Sequence, residues 1–185
     1  MLIAVKSCEA HWSRCAAIRD TWWTPQVHFF TGNELDVPDD YAHLPQKTKA
    51  ICQWAVTRGH LWAFLCDTDT YVHVPRLLAL PLTDYMGYHL EGKDYASGGA
   101  GYVLSRKAMD IVANSSTDGF ANEDEFVGKT LLGRVRLCHE PRLSLYDDVL
   151  PGNHIISRHL SSREEFKIPM MHEAHRRATE AAASA

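Results

Sequence analysis

Leu61-Trp62-Ala63-Phe64-Leu65-Cys66-Asp67-Thr68-Asp69-Thr70-Tyr71-Val72 is the stretch whose reading decides the fold. An apolar run of strand length ends in two carboxylates two residues apart. The run has no polar alternation, so it reads as a strand buried on both faces, as in a parallel sheet. In open α/β sheets, ligands sit at the carboxyl ends of such strands. In an extended chain residues i and i+2 point to one face, so Asp67 and Asp69 are expected to approach one ion together. The Asp67-Thr68-Asp69 corner is therefore the expected working centre.

Upstream of that corner, residues 2–6 form a short apolar opening strand. Residues 11–23 place Trp12, Cys15, Ala16, Ile18 and Trp22 at helical spacings, and Pro25 closes that helix. Residues 27–30 read as a second strand ended by Thr31-Gly32-Asn33, and residues 36–41 as an acidic loop. Ala50, Ile51, Trp54 and Ala55 mark an amphipathic helix over residues 46–57 that stops at Gly59. This β-α-β-α-β alternation predicts an α/β fold: a three-layer sandwich with a mostly parallel central sheet.

Downstream the pattern is less regular. Residues 74–82 read as a short helix broken by Pro75 and Pro81, and residues 85–90 as a strand. A glycine-rich turn at residues 95–101 leads into a strand at 102–104. Ser105 is the expected N-cap of a helix running to Val112, and Asn122 that of a helix from Glu123 to about Leu132. A late strand is expected at 135–138 and a loop at 146–159. The alanine-rich tail after His175 reads as a frayed helix or a disordered end. No repeat and no linker is visible. The domain assignment is residues 1–165, with 166–185 as a C-terminal helix or disordered tail.

The 185 residues suffice for one domain with a large core, and 45% apolar with 23% charged residues is ordinary for a globular protein. A net charge of −4 argues against general nucleic-acid affinity, which needs a basic face. No apolar run approaches the roughly 20 residues that cross a bilayer. Met1 leads directly into a strand-like segment, so no signal peptide or anchor is expected. Cys8, Cys15, Cys52, Cys66 and Cys138 are odd in number and lack a C-x-x-C pair, which favours reduced thiols. Without a secretory signal, the Asn114-Ser115-Ser116 sequon reads as chance.

Several motif matches fail on spacing. Gly128-Lys129-Thr130 lacks the glycine that a phosphate loop needs five positions earlier, where Glu123 stands. Gly99-Ala100-Gly101 lacks the third glycine of a dinucleotide fingerprint, where Leu104 stands. His172 and His175 are three apart, not the four of a zinc-protease helix. The Asp67 and Asp69 pair survives. Carboxylate oxygen suits a hard cation, Mn²⁺ or Mg²⁺, which would hold a diphosphate and neutralise the charge that grows as a phosphate leaves.

Further segments carry a family resemblance. Arg14-Cys15-Ala16-Ala17-Ile18-Arg19-Asp20-Thr21-Trp22 resembles the R-x-x-A-I-R-x-T-W element of the Fringe-like β-1,3-galactosyltransferase family. Lys47-Thr48 resembles its K-T helix start. Asp67-Thr68-Asp69-Thr70-Tyr71-Val72 resembles its D-D-D-T-Y-V metal motif, with Thr68 in place of the middle Asp. Residues 96–105, Ala-Ser-Gly-Gly-Ala-Gly-Tyr-Val-Leu-Ser, are similar to the glycine-rich segment of the core-1 galactosyltransferase branch. Glu123-Asp124-Glu125-Phe126-Val127-Gly128 resembles the E-D-V-x-x-G element, and residues 151–156 a late P-E-H-H-L-I stretch. The segments fall in family order from residue 2 to about 160.

The resemblance implies a GT-A-like, Rossmann-like fold and inverting transfer of a hexose from a UDP-sugar to a glycan or glycoconjugate hydroxyl. It implies Asp67 and Asp69 as metal ligands, completed by a late histidine, His159 or His154. It implies Asp124 as the base that takes the acceptor proton while the sugar carbon is attacked from the opposite face. Adjacent helical side chains do not share a face, so one of Glu123, Asp124 and Glu125 is expected to enter the cleft squarely. Arg14, Arg19, Lys47 and Thr68 are expected to face the donor phosphates or brace the cleft. Gly98 and Gly99 would let the backbone approach the donor sugar. Trp22 and Trp54 read as core, and Trp23 as a candidate wall of a uridine pocket.

Eukaryotic members of the family have a Golgi anchor and longer catalytic domains with disulfides; this chain is near the minimum length, and no anchor is expected in it. It resembles a compact soluble version, cytoplasmic as in a bacterium or virus if complete, or in the Golgi lumen if it is a eukaryotic enzyme without its anchor. The competing expectation is a catalytically inactive nucleotide-sugar or carbohydrate-binding domain, which the Asp69 and Asp124 pair disfavours.

Overall fold

Leu-Ile-Ala-Val-Lys at the start of the chain is buried at every position and forms the first strand, β1 (Leu2–Lys6). The structure, a computed structural model, describes residues 1–145, 155–160 and 163–183. After β1, the helix α1 (Trp12–Asp20) leads to β2 (Val27–Phe30), a short α2 (Gly32–Leu35) and the long α3 (Leu44–Thr57). Then come β3 (Trp62–Asp67), β4 (Thr70–Val72), α4 (Val74–Leu78), β5 (Tyr85–Gly87), β6 (Tyr102–Ser105) and α5 (Arg106–Ala113). The described chain ends with α6 (Glu123–Leu131), β7 (Leu137–His139), β8 (Leu143–Ser144), β9 (Ser157–His159) and α7 (Glu164–Ala183).

The main sheet has the order β2-β1-β3-β6-β5-β7. β1 is parallel to both β2 and β3, β6 is antiparallel to β3 and β5, and β7 is parallel to β5. Only β6 therefore runs against the rest, as a mostly parallel sheet requires. Strand periodicity sends alternate side chains to opposite faces. Ile3, Val5, Phe64 and Cys66 meet Ile18 of α1, Leu77 of α4 and Met171 of α7 on one face. Leu2, Ala4, Ala63 and Leu65 meet Ile51 of α3, Met109 of α5 and Phe126 of α6 on the other. The three layers anticipated from the sequence are present, and β3 is buried on both faces from Ala63 to Cys66.

Caps behave as the residue types dictate. Ser105 Oγ accepts from the Ala108 amide at the start of α5, and Asn122 Oδ1 accepts from the Glu125 amide at the start of α6. Elsewhere the sequence expectation needs correction. Pro75 does not break its helix but sits in the first turn of α4, where the missing N–H costs nothing, and the His73 ring caps that turn. Gly32 and Asn33, read as part of the turn that ends the second strand, belong to α2. Residues 157–159, expected as loop, form β9, which pairs antiparallel with β4 and parallel with β8 in a small second sheet. The tail is not frayed over its described length. α7 continues to Ala183 because Met171 and Ala178 bury against the α1 face, which gives the helix tertiary support. Trp12, placed on the helix face by spacing, is 72% exposed. All five cysteines are free. No helix among the described residues is long and apolar enough to cross a membrane.

Candidate active site

The parallel strands point their carboxyl ends at a cleft of about 610 Å³. β1 delivers Lys6 and Ser7, β3 delivers Asp67, and the turn before β4 delivers Thr68 and Asp69. The extended i, i+2 geometry expected for the two aspartates is not what forms. The chain turns at Thr68 and Asp69 between β3 and β4. Both carboxylates still line the cleft. β6 runs antiparallel, so the glycine-rich segment before it arrives at this same end, and Asn122 starts α6 beside it with Glu123 and Asp124 facing in. Asp69 and Asp124, 55 positions apart in sequence, thus share one cavity.

Lys6 joins the two acid pairs. Its Nζ lies 3.4 Å from Asp67 Oδ1 and 3.0 Å from Glu123 Oε2, with the lysine side chain only 2% exposed. Burial opposes its charge, but Asp67 and Glu123 outweigh it and hold the ammonium well above the usual lysine range. Glu123 also accepts from the Tyr102 hydroxyl and, at 3.3 Å, from Thr48 Oγ1. Burial works against its ionisation, yet the Lys6 charge and hydrogen bonds with Asp124, Tyr102 and Lys6 hold its carboxyl below the usual range. Asp124, beside it, goes the other way. Burial and the neighbouring Glu123 charge push it up to about 8, although the Gly98 amide donates to its Oδ1 at 2.8 Å. One of the acidic trio was expected in the cleft. Both Glu123 and Asp124 line it, while Glu125 does not.

Across the cleft, Asp69 is the ionised member. Burial opposes its charge, but hydrogen bonds from His159 and Lys167 hold it well below the usual carboxylate range. Lys167 Nζ lies 2.6 Å from Oδ2, His159 Nε2 3.5 Å from Oδ1 and Arg14 Nη1 3.7 Å from Oδ2. Asp67 is pushed up, chiefly by burial and then by Asp69 and Glu123, with Lys6 pulling it back. The β4–β9 pairing, with Thr70 opposite His159, is what sets that imidazole beside Asp69. Hydrogen bonding to Asp69 raises the affinity of His159 for a proton.

The remaining sequence candidates divide. Arg14 is buried and reaches Asp69, Glu164 and, at 3.4 Å, the Thr68 hydroxyl. Thr68 is also buried and bonds His11 Nδ1 at 3.1 Å, so it braces the corner. Lys47 is tied to Asp39 and the Ser7 carbonyl and stiffens the cleft wall. Gly98 sits against the second acid pair: a Cβ there would collide with the Glu123 and Asp124 carboxylates. Gly99 packs beside the His159 ring, and its carbonyl accepts from Thr70 Oγ1 at 3.0 Å. Arg19 is outside the cleft. It is exposed on α1 with its guanidinium 4.8 Å above the Phe29 ring, because five residues of helix turn it away from Arg14. Trp23 is also outside the cleft and lines a separate cavity of about 330 Å³ with Trp22, Tyr71, His73 and His175. His154 lies outside the described residues.

Sequence reasoning missed Lys6, His11 and Lys167. Lys6 had a visible signal, a lone charge closing an apolar strand at the sheet's carboxyl end. His11 and Lys167 had none, since only tertiary packing brings them to Asp69.

Two carboxylates and an imidazole around one cleft have the chemistry of a hard divalent-cation site. Among the described residues no three or more His, Cys, Asp or Glu side chains are already gathered as a metal-ion site.

No family model matches this chain, and no curated protein does. A solved structure described as a glycosyltransferase involved in the glycosylation of the major capsid of PBCV-1 is similar in fold, with a TM-score of 0.53. It is 15% identical, and the alignment covers 92% of this chain and 100% of that one. The chain therefore has the mixed α/β, Rossmann-like architecture of a glycosyltransferase.

Proposed function

We propose that this protein is a metal-dependent inverting glycosyltransferase that moves a hexose, galactose or a related sugar, from a UDP-sugar to a hydroxyl of a glycan or glycoconjugate. The observation that carries this reading is that Asp69 and Asp124 line the same cleft at the carboxyl ends of the parallel strands. The fold shared with a glycosyltransferase and the ordered resemblance to the Fringe-like β-1,3-galactosyltransferases support the reaction class.

Asp67, Asp69 and His159 would hold Mn²⁺ or Mg²⁺. The ion, when bound, neutralises the charge that develops on the departing diphosphate. Asp124 is the general base. Its Oδ1 is fixed by the Gly98 amide, so the carboxylate presents a set edge to an acceptor hydroxyl. Its raised proton affinity matches that task, since a base tuned towards working pH accepts a proton most effectively. The acceptor oxygen attacks the anomeric carbon opposite to the leaving UDP, and Asp124 takes the hydroxyl proton as that bond forms. Glu123 remains ionised against Lys6 and supplies the local negative charge that keeps the Asp124 proton affinity high.

Consumption of UDP-hexoses with and without Mn²⁺, over a panel of glycan acceptors, tests this reading. Ion-dependent release of UDP with an acceptor is the expected result. Binding of UDP-sugar with no hydrolysis and no transfer over any acceptor replaces the enzyme by a binding domain. A thermal-shift panel identifies the donor, because a ligand at a hundredfold its dissociation constant adds about 2.7 kcal/mol.

A further inference from the structure

We propose that Lys167 of α7 is a binding residue for the donor diphosphate, moving onto it from Asp69 once a divalent cation occupies that carboxylate. This rests on the transferase reading above and names a residue that lies in none of the sequence motifs.

Four lysine and arginine side chains line the cleft among the described residues: Lys6, Arg14, Lys47 and Lys167. Three of them are fixed by partners that a cation at the aspartates would not remove. Lys6 lies between Asp67 and the buried Glu123, which stays with it whatever binds Asp67. Lys47 is tied to Asp39 and the Ser7 carbonyl. Arg14 holds Glu164 through two nitrogens and Thr68 through a third. Lys167 differs. Its close partner, at 2.6 Å, is Asp69, the carboxylate that the ion requires. Its other partner, Glu164, lies 3.5 Å away, is 64% exposed and is already shared with Arg14. An ion on Asp69 therefore repels the Lys167 ammonium and leaves it with an exposed, contested partner.

That ammonium is still inside the cleft, on a side chain only 12% exposed. A diphosphate bridging to the ion brings fresh negative charge within reach of it. A lysine is a compact charge on a flexible four-carbon stem, suited to such a transfer, whereas the planar Arg14 fork is already committed. Lys167 thus stands in for the ion while the cleft is empty and joins the ion when the diphosphate arrives.

The two halves of this inference move binding in opposite directions. In Lys167→Met, which keeps most of the apolar stem, UDP measured calorimetrically in Mn²⁺ should bind about 10- to 100-fold more weakly, the span of a lost charge-assisted hydrogen bond. Mn²⁺ alone, followed by electron paramagnetic resonance, should bind more tightly, because the competing ammonium is gone. Lys167→Arg should recover part of the UDP affinity. A merely structural role would weaken both ligands together through a loosened α7, and that result overturns the proposal. So does unchanged UDP affinity, or weaker UDP binding without a gain in Mn²⁺ affinity. If the wild-type protein binds no UDP in Mn²⁺, the transferase reading itself fails, and this inference with it.

Discussion

Two acid pairs face each other across the cleft, and they are built by different means. Asp67 and Asp69 come from the end of a central strand and the turn beyond it, so their backbone is set by the sheet. Glu123 and Asp124 are neighbours in the first turn of α6, set by the Asn122 cap. Each pair nevertheless ends with one carboxylate held ionised and one with raised proton affinity. The ionised member is the one that captures cations or strong donors: Lys167 and His159 for Asp69, Lys6 and Tyr102 for Glu123. The other then feels its partner's charge in a partly dry site, where like charges are costly. Proximity alone therefore does not make two carboxylates equivalent. The cation geometry around them decides which member of each pair carries the charge.

The sharpest break of this comparison is a paired substitution. Asp124→Asn should lower transfer by about 10²- to 10⁴-fold, the usual worth of a positioned base, while leaving Mn²⁺-dependent UDP binding intact. Asp69→Asn should instead abolish that binding. If both variants lose binding, or Asp124→Asn retains turnover, the two pairs do not have separate roles.

Lys6→Met attacks the joint between them. Removing the buried ammonium leaves Asp67 and Glu123 without their shared cation, and a loss of about 3–5 kcal/mol in denaturant unfolding is expected. A loss below about 1 kcal/mol would mean that each pair is stabilised independently.

Gly98→Ala should act on one pair only. The new methyl displaces the Glu123 and Asp124 carboxylates, so transfer should fall by up to about 10²-fold, with UDP affinity in Mn²⁺ unchanged. Equal losses in both measurements would place Gly98 at the donor instead.

The pH dependence of stability should show opposite signs for Asp124 and Asp69. Asp124 binds a proton more tightly folded, up to about pH 8, than unfolded, near 3.9. The folded state thus holds the extra proton in that window, and this group's contribution to stability falls as pH rises through it. Asp69 is depressed, so its contribution is present above pH about 4 and is lost as pH falls below that. The melting temperature of Asp124→Asn relative to wild type, without metal, should accordingly climb between pH 5 and 8. A difference that stays flat would return Asp124 to an ordinary carboxyl.

Arg19→Ala should be the mildest change. It removes a cation over the Phe29 ring outside the cleft, worth about 0.5–1 kcal/mol at an exposed site, and should leave UDP affinity alone. A tenfold loss of UDP affinity would show that Arg19 reaches the donor after all.

The regular half of the molecule was legible because its signals are local. An unbroken apolar run of strand length reads as a strand covered on both faces, and helical spacings between such runs point to a parallel sheet with its carboxyl ends on one side. Ser105 and Asn122 announced their helices because a side-chain acceptor satisfies free amides of the first turn. Asp67, Asp69 and Asp124 were legible as residue types in motif order. What the sequence left open depends on distant packing. The β4–β9 ladder sets the His159 imidazole next to Asp69, and α7 buries Met171 against the α1 face so that Lys167 reaches the same carboxylate. Arg14 and Arg19 look equivalent in a motif, yet the helix turns one into the cleft and the other onto Phe29. The sequence by itself determined the layers, the sheet's direction and the acids available to the cleft, because these follow from spacing and from the covalent order of the chain. Only the tertiary structure decided which acids are charged, because that depends on cations arriving from β1, α1 and α7, and Coulomb attraction is set by distance in space, not by distance in sequence.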